Sequence, residues 1–424
     1  MNTTERAKLL LKKNKIEEAI ETLEVFIKEN KKERIGAHRL LSQLYMMTSS
    51  KEKATATLKE GVKDNPDNLW LQLMLGDLFY FDLKDINSAI EIYQNLLSHF
   101  KRPERSTMSP YRYVLKRLSN IYYEIGEFEK AKKHFEMFIT LEPSDFYASD
   151  FRKFTEILIK LGFKERAKEV IKIGVKTHPG DLSLFNFAKE NFQREQFEFR
   201  EKRKRGVLEG VEKIPIKTNL IREFDDIYNT IDSYTKTIRK DDDIITISSC
   251  VAAMAEGRMY TVDTIIPSFL AKFVSRFVSQ KSVSFGGAAP LANPYAMEIA
   301  IHECGSLRIT IAALAGVIGK IFGKKGWFYM VAGSQSALID DPPASIPPFD
   351  YAVIPGPENS FEMCNKIKKR TGCRAAVIDA NDLGDAWAVG FTDGIDKRKL
   401  EIALSDNPAE NEDQRTPIVI VKGL

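Results

Sequence analysis

A small residue recurs along the first half of the chain at Ala19, Ala54, Ala89, Ala131 and Ala167, at steps of 35, 35, 42 and 36 residues. Other positions keep the same phase. Tyr45, Phe79, Tyr122 and Leu158 occupy one large-residue slot, and Leu23, Leu58, Tyr93, Phe135 and Ile171 another. Two antiparallel helices pack closely only where one offers a small side chain opposite a large one. One such pair cannot bury its own apolar face, so pairs must stack into a superhelix. Pro66, Pro143 and Pro179 close repeats, because proline cannot continue a helix. Gly126 and Gly162 fall in the tight turn within a pair.

This pattern resembles the tetratricopeptide repeat, over roughly residues 4–182 and most fully in the fourth repeat. The resemblance implies an all-α superhelix whose concave groove takes a peptide or protein partner. An array that only braces the second half is the other reading. The third repeat departs from the pattern, with an extra residue before Ala89 and a longer exit at 100–110, expected as a local loop. After it, the charged stretch 191–205, with basic residues at its end, reads as a capping helix whose solvated cations suit a helix carboxyl terminus. Gly206 marks the expected boundary, giving a repeat array at 1–205 and a second domain at 206–424.

Composition excludes several classes. Net charge is only +4, from 63 basic and 59 acidic residues, which argues against nucleic acid as a partner through bulk field. Cys250, Cys304, Cys364 and Cys373 form no CxxC pair, so neither a zinc ribbon nor a redox dithiol is indicated. Scattered single thiols fit a reducing compartment. The polar, charged opening at 1–11 is unlike a secretory signal. The longest apolar run, 309–322, is too short to span a bilayer, and is expected to be a buried core helix. These features predict a cytoplasmic protein without membrane association.

Beyond residue 206 the periodicity changes. β-rich segments at 213–218, 244–249, 351–354, 375–379, 386–391 and 417–421 alternate with helical stretches near 224–238, 264–278, 294–304 and 360–370. That alternation predicts a mixed α/β domain.

Several segments, in order, resemble the coenzyme F(420)-0:L-glutamate ligase (γ-glutamyl ligase) family. They are Ile214-Pro-Ile-Lys-Thr-Asn-Leu-Ile221, Asp225-Asp226, Asp243-Ile-Ile-Thr-Ile-Ser-Ser249 and Ala255-Glu-Gly-Arg258. Val331-Ala-Gly333, Ile339-Asp340, the strand ending at Asp379, Thr392-Asp393 and Thr416-Pro-Ile-Val-Ile-Val-Lys422 complete the set. The resemblance covers about residues 210–424. It implies formation of an amide between a substrate carboxylate and glutamate, with GTP or ATP and a divalent metal (Mg or Mn). Asp340 and Asp379 fall where the family holds metal, with Asp341 and Asp382 as possible auxiliaries. Asn219, Ser249 and Glu256 are expected near the nucleotide or acceptor. A homodimer through this domain is also implied, which would display two repeat arrays together.

Departures from the family's pattern support a rival expectation. Cys250 and Met254 stand in place of two lysines, Ala380 in place of a threonine, and Pro342 and Pro343 in place of a serine and an asparagine. The segment between Asp396 and Thr416 is shortened. The rival is a non-catalytic dimerisation or ligand-sensing module, with the repeats recruiting partners. Other chemistry finds little support. Gly323-Lys324-Lys325 does not meet the phosphate-loop spacing, and Gly316 and Gly319 read instead as sites of close helix packing. His302-Glu303-Cys304 lacks the second histidine of a zinc protease motif. The small-residue loop around Gly286 and Gly287 reads equally as a backbone approach to ligand or a plain linker.

Overall fold

The computed structural model describes residues 3–13, 15–29, 35–104, 109–141, 143–202, 204–278, 290–324, 326–340, 346–382, 384–410 and 413–424. The chain divides into two compact units, Met1–Phe199 and Arg200–Leu424.

The first unit is built of helix pairs: α1 (Thr3–Lys12) with α2 (Ile16–Glu29), α3 (Ile35–Met47) with α4 (Lys51–Asp64), and α5 (Leu69–Asp77) with α6 (Ile86–Ser98). Then come α7 (Tyr111–Glu124) with α8 (Phe128–Ile139), and α9 (Ala148–Lys160) with α10 (Lys164–Thr177). All five phase-setting alanines are completely buried, one in the second helix of each pair, and the large residues opposite them are buried too. The extra residue of the third repeat is absorbed by a π-helical turn, Leu78–Leu83, which follows α5 directly. Gly76, just before that turn, lies against the fully buried Tyr93 ring, where a Cβ would approach a ring carbon to 2.4 Å. The neighbouring Asp77 carboxylate is buried and satisfied within the core: the Tyr93 hydroxyl donates to it at 2.6 Å and Arg117 Nε at 2.9 Å.

The closing helix of this unit is α11 (Leu182–Asn191), capped by Asp181. The expected capping helix at 191–205 does not form, since the described residues beyond Asn191 are irregular. Two cations of its basic end are paired, although Arg205 stays exposed. Lys202 pairs with Asp382 at 3.0 Å and Glu410 at 2.9 Å, and Arg205 with Asp385 at 2.6 Å. Those side-chain partners, which lie far along the chain, compete with a helical end for the same cations. Arg203 and the exit residues 105–108 lie outside the described residues.

The second unit is a three-layer α/β domain. Its sheet runs β1 (Glu212–Ile216), β7 (Ile418–Lys422), β2 (Ile244–Ser248), β5 (Arg374–Ala380), β6 (Ala386–Phe391). β2 and β5 are parallel, and the other pairings are antiparallel. One face packs Ile245, Ile247, Val377 and Ile420 against α12 (Ile227–Thr235) and α19 (Ser360–Thr371). The other packs Ile244, Ile378, Val419 and Val421 against Leu400 and Leu404, at α20 (Lys397–Ala403). Burial on both faces explains why these strands read as unbroken apolar runs. Two short strands, β3 (Tyr260–Thr261) and β4 (Ala352–Val353), pair separately.

Between β2 and β4 the chain forms α13 (Ser249–Ala255), α14 (Phe269–Ser275), α15 (Pro294–Cys304), α16 (Ser306–Ile321), α17 (Trp327–Ala332) and α18 (Ser334–Ala337). The run at 309–322 is helical but is not the buried core helix expected of it. Only Ile309, Ala312 and Gly319 of α16 are buried. The helix touches neighbours along one narrow face, so its apolar composition exceeds what the domain can cover. On that face the glycines do permit close packing, since a Cβ on Gly319 would meet the Lys324 carbonyl at 2.9 Å and the Trp327 ring at 3.0 Å. Lys325 and the loop around Gly286 and Gly287 lie outside the described residues.

Candidate functional site

Strand β2 ends at Ser248, opposite Ile378 of its parallel neighbour β5. The carboxyl ends of two parallel strands therefore open at one place, where an open α/β sheet characteristically leaves a ligand crevice. Ser249 begins α13 there, and Asp379 lies one residue past the paired Ile378. The Ser249 hydroxyl donates to Asp379 Oδ1 at 2.7 Å. Asp340 arrives from a distant segment, its backbone held by a bridge to Ile354 with N···O distances of 2.9 and 3.0 Å. The Cys250 thiol donates to its carboxylate. All four residues line one cleft, together with Asn407 and Glu410.

The electrostatics of this cleft are unusual. Burial pushes the Asp340 carboxyl up to about 6, against the opposing effect of the Cys250 hydrogen bond. Burial and then the charge of Asp340 push Asp379 up to about 7, with the Ser249 hydrogen bond pulling the other way. Among the described residues neither carboxylate forms an ion pair, and no Lys or Arg lines the cleft. Two adjacent carboxyls in this setting resist ionising together, and a divalent cation between them would offset that, because it lowers the energy of both ionised forms at once. Two carboxylate oxygens and a serine hydroxyl are hard donors of the kind magnesium or manganese takes alongside water. The chemistry of these donors suits such an ion, although among the described residues no group of three or more His, Cys, Asp or Glu is placed to hold a metal.

The other expected residues lie elsewhere. Asn219 is exposed, its backbone N–H donating to the Tyr234 hydroxyl at 3.0 Å, and it does not line the cleft. Glu256 accepts from the backbone N–H groups of Glu358 and Asn359 at 2.7 and 2.9 Å, which ties the turn before α19 to the end of α13. In the same segment Gly257 has φ +74° against the Phe224 ring. Arg258 is buried between Glu303, Glu358 and the Gly356 carbonyl. The Ala255-Glu-Gly-Arg258 element thus serves as a structural clasp. Asp382, one of the auxiliaries, pairs with Lys202 and accepts from Asn407 at 3.1 Å. Asp341, Pro342 and Pro343 lie outside the described residues.

Cys250, Asn407 and Glu410 were not anticipated as site residues. Cys250 carried a signal, since it adjoins Ser249 at a strand end. Asn407 and Glu410 sit in the shortened segment before β7, and nothing in their local sequence marks them.

Sheet, crevice and paired acids define an α/β domain with an acidic cleft, in a chain whose first unit is a helical repeat array. Residues 215–394 match the family model F420-0:Gamma-glutamyl ligase, and residues 117–145, from within α7 to just past α8, match a tetratricopeptide repeat model. No curated protein matches the chain. Among solved structures, a crystal structure of MamA is 17% identical, with a TM-score of 0.32 over 46% of this chain and 96% of that one. YrrB, described as a tetratricopeptide-repeat protein with an unusual peptide-binding site, is 17% identical, with a TM-score of 0.34 over 44% of this chain and 90% of that one. The chain is therefore similar to tetratricopeptide repeats in its first unit and to the F420-0:γ-glutamyl ligase family in its second.

Proposed function

We propose that the second domain is a cation-dependent acid–amino-acid ligase, joining a small-molecule carboxylate to glutamate or a related amino acid at the expense of GTP or ATP. The convergence of Asp340 and Asp379 at the carboxyl ends of β2 and β5 carries this reading, together with the family match over 215–394. Asp340 and Asp379 would hold the ion, which supplies positive charge beside phosphoryl oxygens. Ser249 orients Asp379 and Cys250 orients Asp340, as groups bonded to metal ligands do. Both carboxyls shed their protons for binding, so cation affinity rises between pH 6 and 8. The repeat groove serves a peptide or protein partner.

A second reading, a cation- or ligand-sensing module without turnover, is favoured by one observation. No basic side chain lines the cleft among the described residues to receive phosphates directly.

Calorimetric titration of the full chain with manganese or magnesium, followed by GTP or ATP, separates the two. The ligase reading expects cation binding lost in Asp340→Asn and Asp379→Asn, and nucleotide binding only with cation present. Cation binding without nucleotide binding supports the sensing module. Absence of cation binding sinks the site assignment.

A further inference from the structure

Two basic side chains ahead of the α/β core join the same two parts of the cleft. One wall of the cleft is the segment 404–410, of which Leu404, Asn407 and Glu410 line the opening. Another is the end of β5, at Asp379 and Ala380, from which the chain passes Asp382 and Asp385 into β6. Lys202 Nζ lies 3.0 Å from Asp382 and 2.9 Å from Glu410, so it holds the β5–β6 connection and the 404–410 wall at once. Arg205 repeats the arrangement. Its guanidinium donates to Asp385 at 2.6 Å, and its backbone N–H donates to the Ser405 hydroxyl at 2.9 Å. Asn407 adds a direct stitch, donating to the Asp382 carboxylate at 3.1 Å.

The two cations act differently. The Arg205–Asp385 pair is exposed on both sides, so its charge contributes little and its value is geometric. Lys202 is half-buried. Burial opposes its charge, but Asp382 and Glu410 outweigh burial and hold its pKa above the ordinary lysine value. Two carboxylates within 3.0 Å of one ammonium are close enough to repel each other once it is gone. Without Lys202 the β5–β6 connection and the 404–410 wall push apart, and the cleft between them widens. Both cations precede the residues matched by the family model, 215–394, so the resemblance carries no expectation for either.

We infer that Lys202 and Arg205 are positioning residues of the cleft, stapling the 404–410 wall to the connection after β5 and so setting how far the cleft opens to a ligand. The segment that leads into the domain thereby completes the cleft. The inference rests on the proposed cation-site reading only for what enters the cleft, since the staple itself stands on these contacts.

Cys250 supplies the readout, because its half-buried thiol lies in the cleft and donates to Asp340. Cys304 is also half-buried but does not line the cleft, and Cys364 and Cys373 are buried. The test is alkylation of the full chain by N-ethylmaleimide, with each cysteine followed by peptide mass spectrometry. Lys202→Met with Arg205→Met should speed Cys250 alkylation by about fivefold or more, as local opening does, and leave the other three rates unchanged. Lys202→Arg, which keeps the cation, should retain the parental rate. Manganese, as the probe of the cleft's own ligand, should slow Cys250 alkylation in the parent. An unchanged Cys250 rate in the double variant overturns the inference, since the wall would then hold without the staple. An equal rise at all four cysteines also overturns it, because the loss would be one of general stability. A selective rise at Cys250, in a protein whose alkylation manganese does not slow, upholds the staple and counts against the cation reading alone.

Discussion

Across 130 residues of chain, the Ser249 hydroxyl donates to Asp379 Oδ1 at 2.7 Å. That hydrogen bond favours the ionised carboxylate, in opposition to burial and to Asp340. Ser249→Ala should therefore raise the Asp379 carboxyl further above about 7 and weaken cation affinity by about tenfold or more, as loss of an orienting partner does. Manganese titration against pH reads both effects. An unchanged midpoint would show that the serine does not tune the acid.

The same pair makes stability depend on pH in a defined direction. Folding raises the Asp340 carboxyl to about 6 and the Asp379 carboxyl to about 7, from ordinary values of 3.8. The folded state thus binds more protons than the unfolded one between these limits. The stability from this source is complete below about pH 4 and is lost as pH rises through 6 and 7. Asp379→Asn should be more stable than the parent at pH 8 by on the order of 2 kcal/mol, and the two should converge near pH 4. Denaturant unfolding at both pH values, in chelator, measures this. A difference that grows toward acid would contradict it.

Lys202 is only 17% exposed at its side chain and pairs with both Asp382 and Glu410. Lys202→Ala should cost about 1 kcal/mol. It should also speed amide hydrogen exchange at residues 200–206, because the segment would lose an anchor that no helix replaces. Exchange followed by mass spectrometry decides the point, and unchanged protection would show that Arg205 alone anchors it.

In the repeat array, Gly76→Ala should destabilise the protein by about 1–3 kcal/mol, since the added Cβ would press on the buried Tyr93 ring. Tyr93 has little room to yield because its hydroxyl is bonded to Asp77. The control is Gly126→Ala, whose site has open space but a φ of +78°, so its cost is conformational rather than steric. Urea unfolding of the two variants, with Tyr93→Phe added to each, should show coupling to position 93 in the first alone.

Much of the architecture was legible because it is periodic or local. The five alanines announced their helix pairs, since only a small side chain lets two helices close together. The β-rich segments around Thr246 and Val377, alternating with helical stretches, announced a mixed α/β domain. The extra residue before Ala89 announced an irregularity, though not that a π-helical turn would absorb it. Asp340 and Asp379 came from resemblance to a family, not from any local rule.

Long-range packing decided the rest. Ser249 and Cys250 meet carboxylates far along the chain, and a linear reading cannot show which donors converge. Glu256 looked like a site residue by its motif, yet the fold places two backbone N–H groups against it. The run at 309–322 has the composition of a core helix, but composition cannot say how much of a helix its neighbours will cover. Lys202 and Arg205 looked like the solvated end of a helix until the fold set Asp382, Glu410 and Asp385 opposite them. The sequence alone determined the repeat period, the change to α/β pattern and the strands of the main sheet. Only the tertiary structure decided which side chains share the cleft and which apolar face remains open, because both depend on what the chain brings together rather than on what lies next in it.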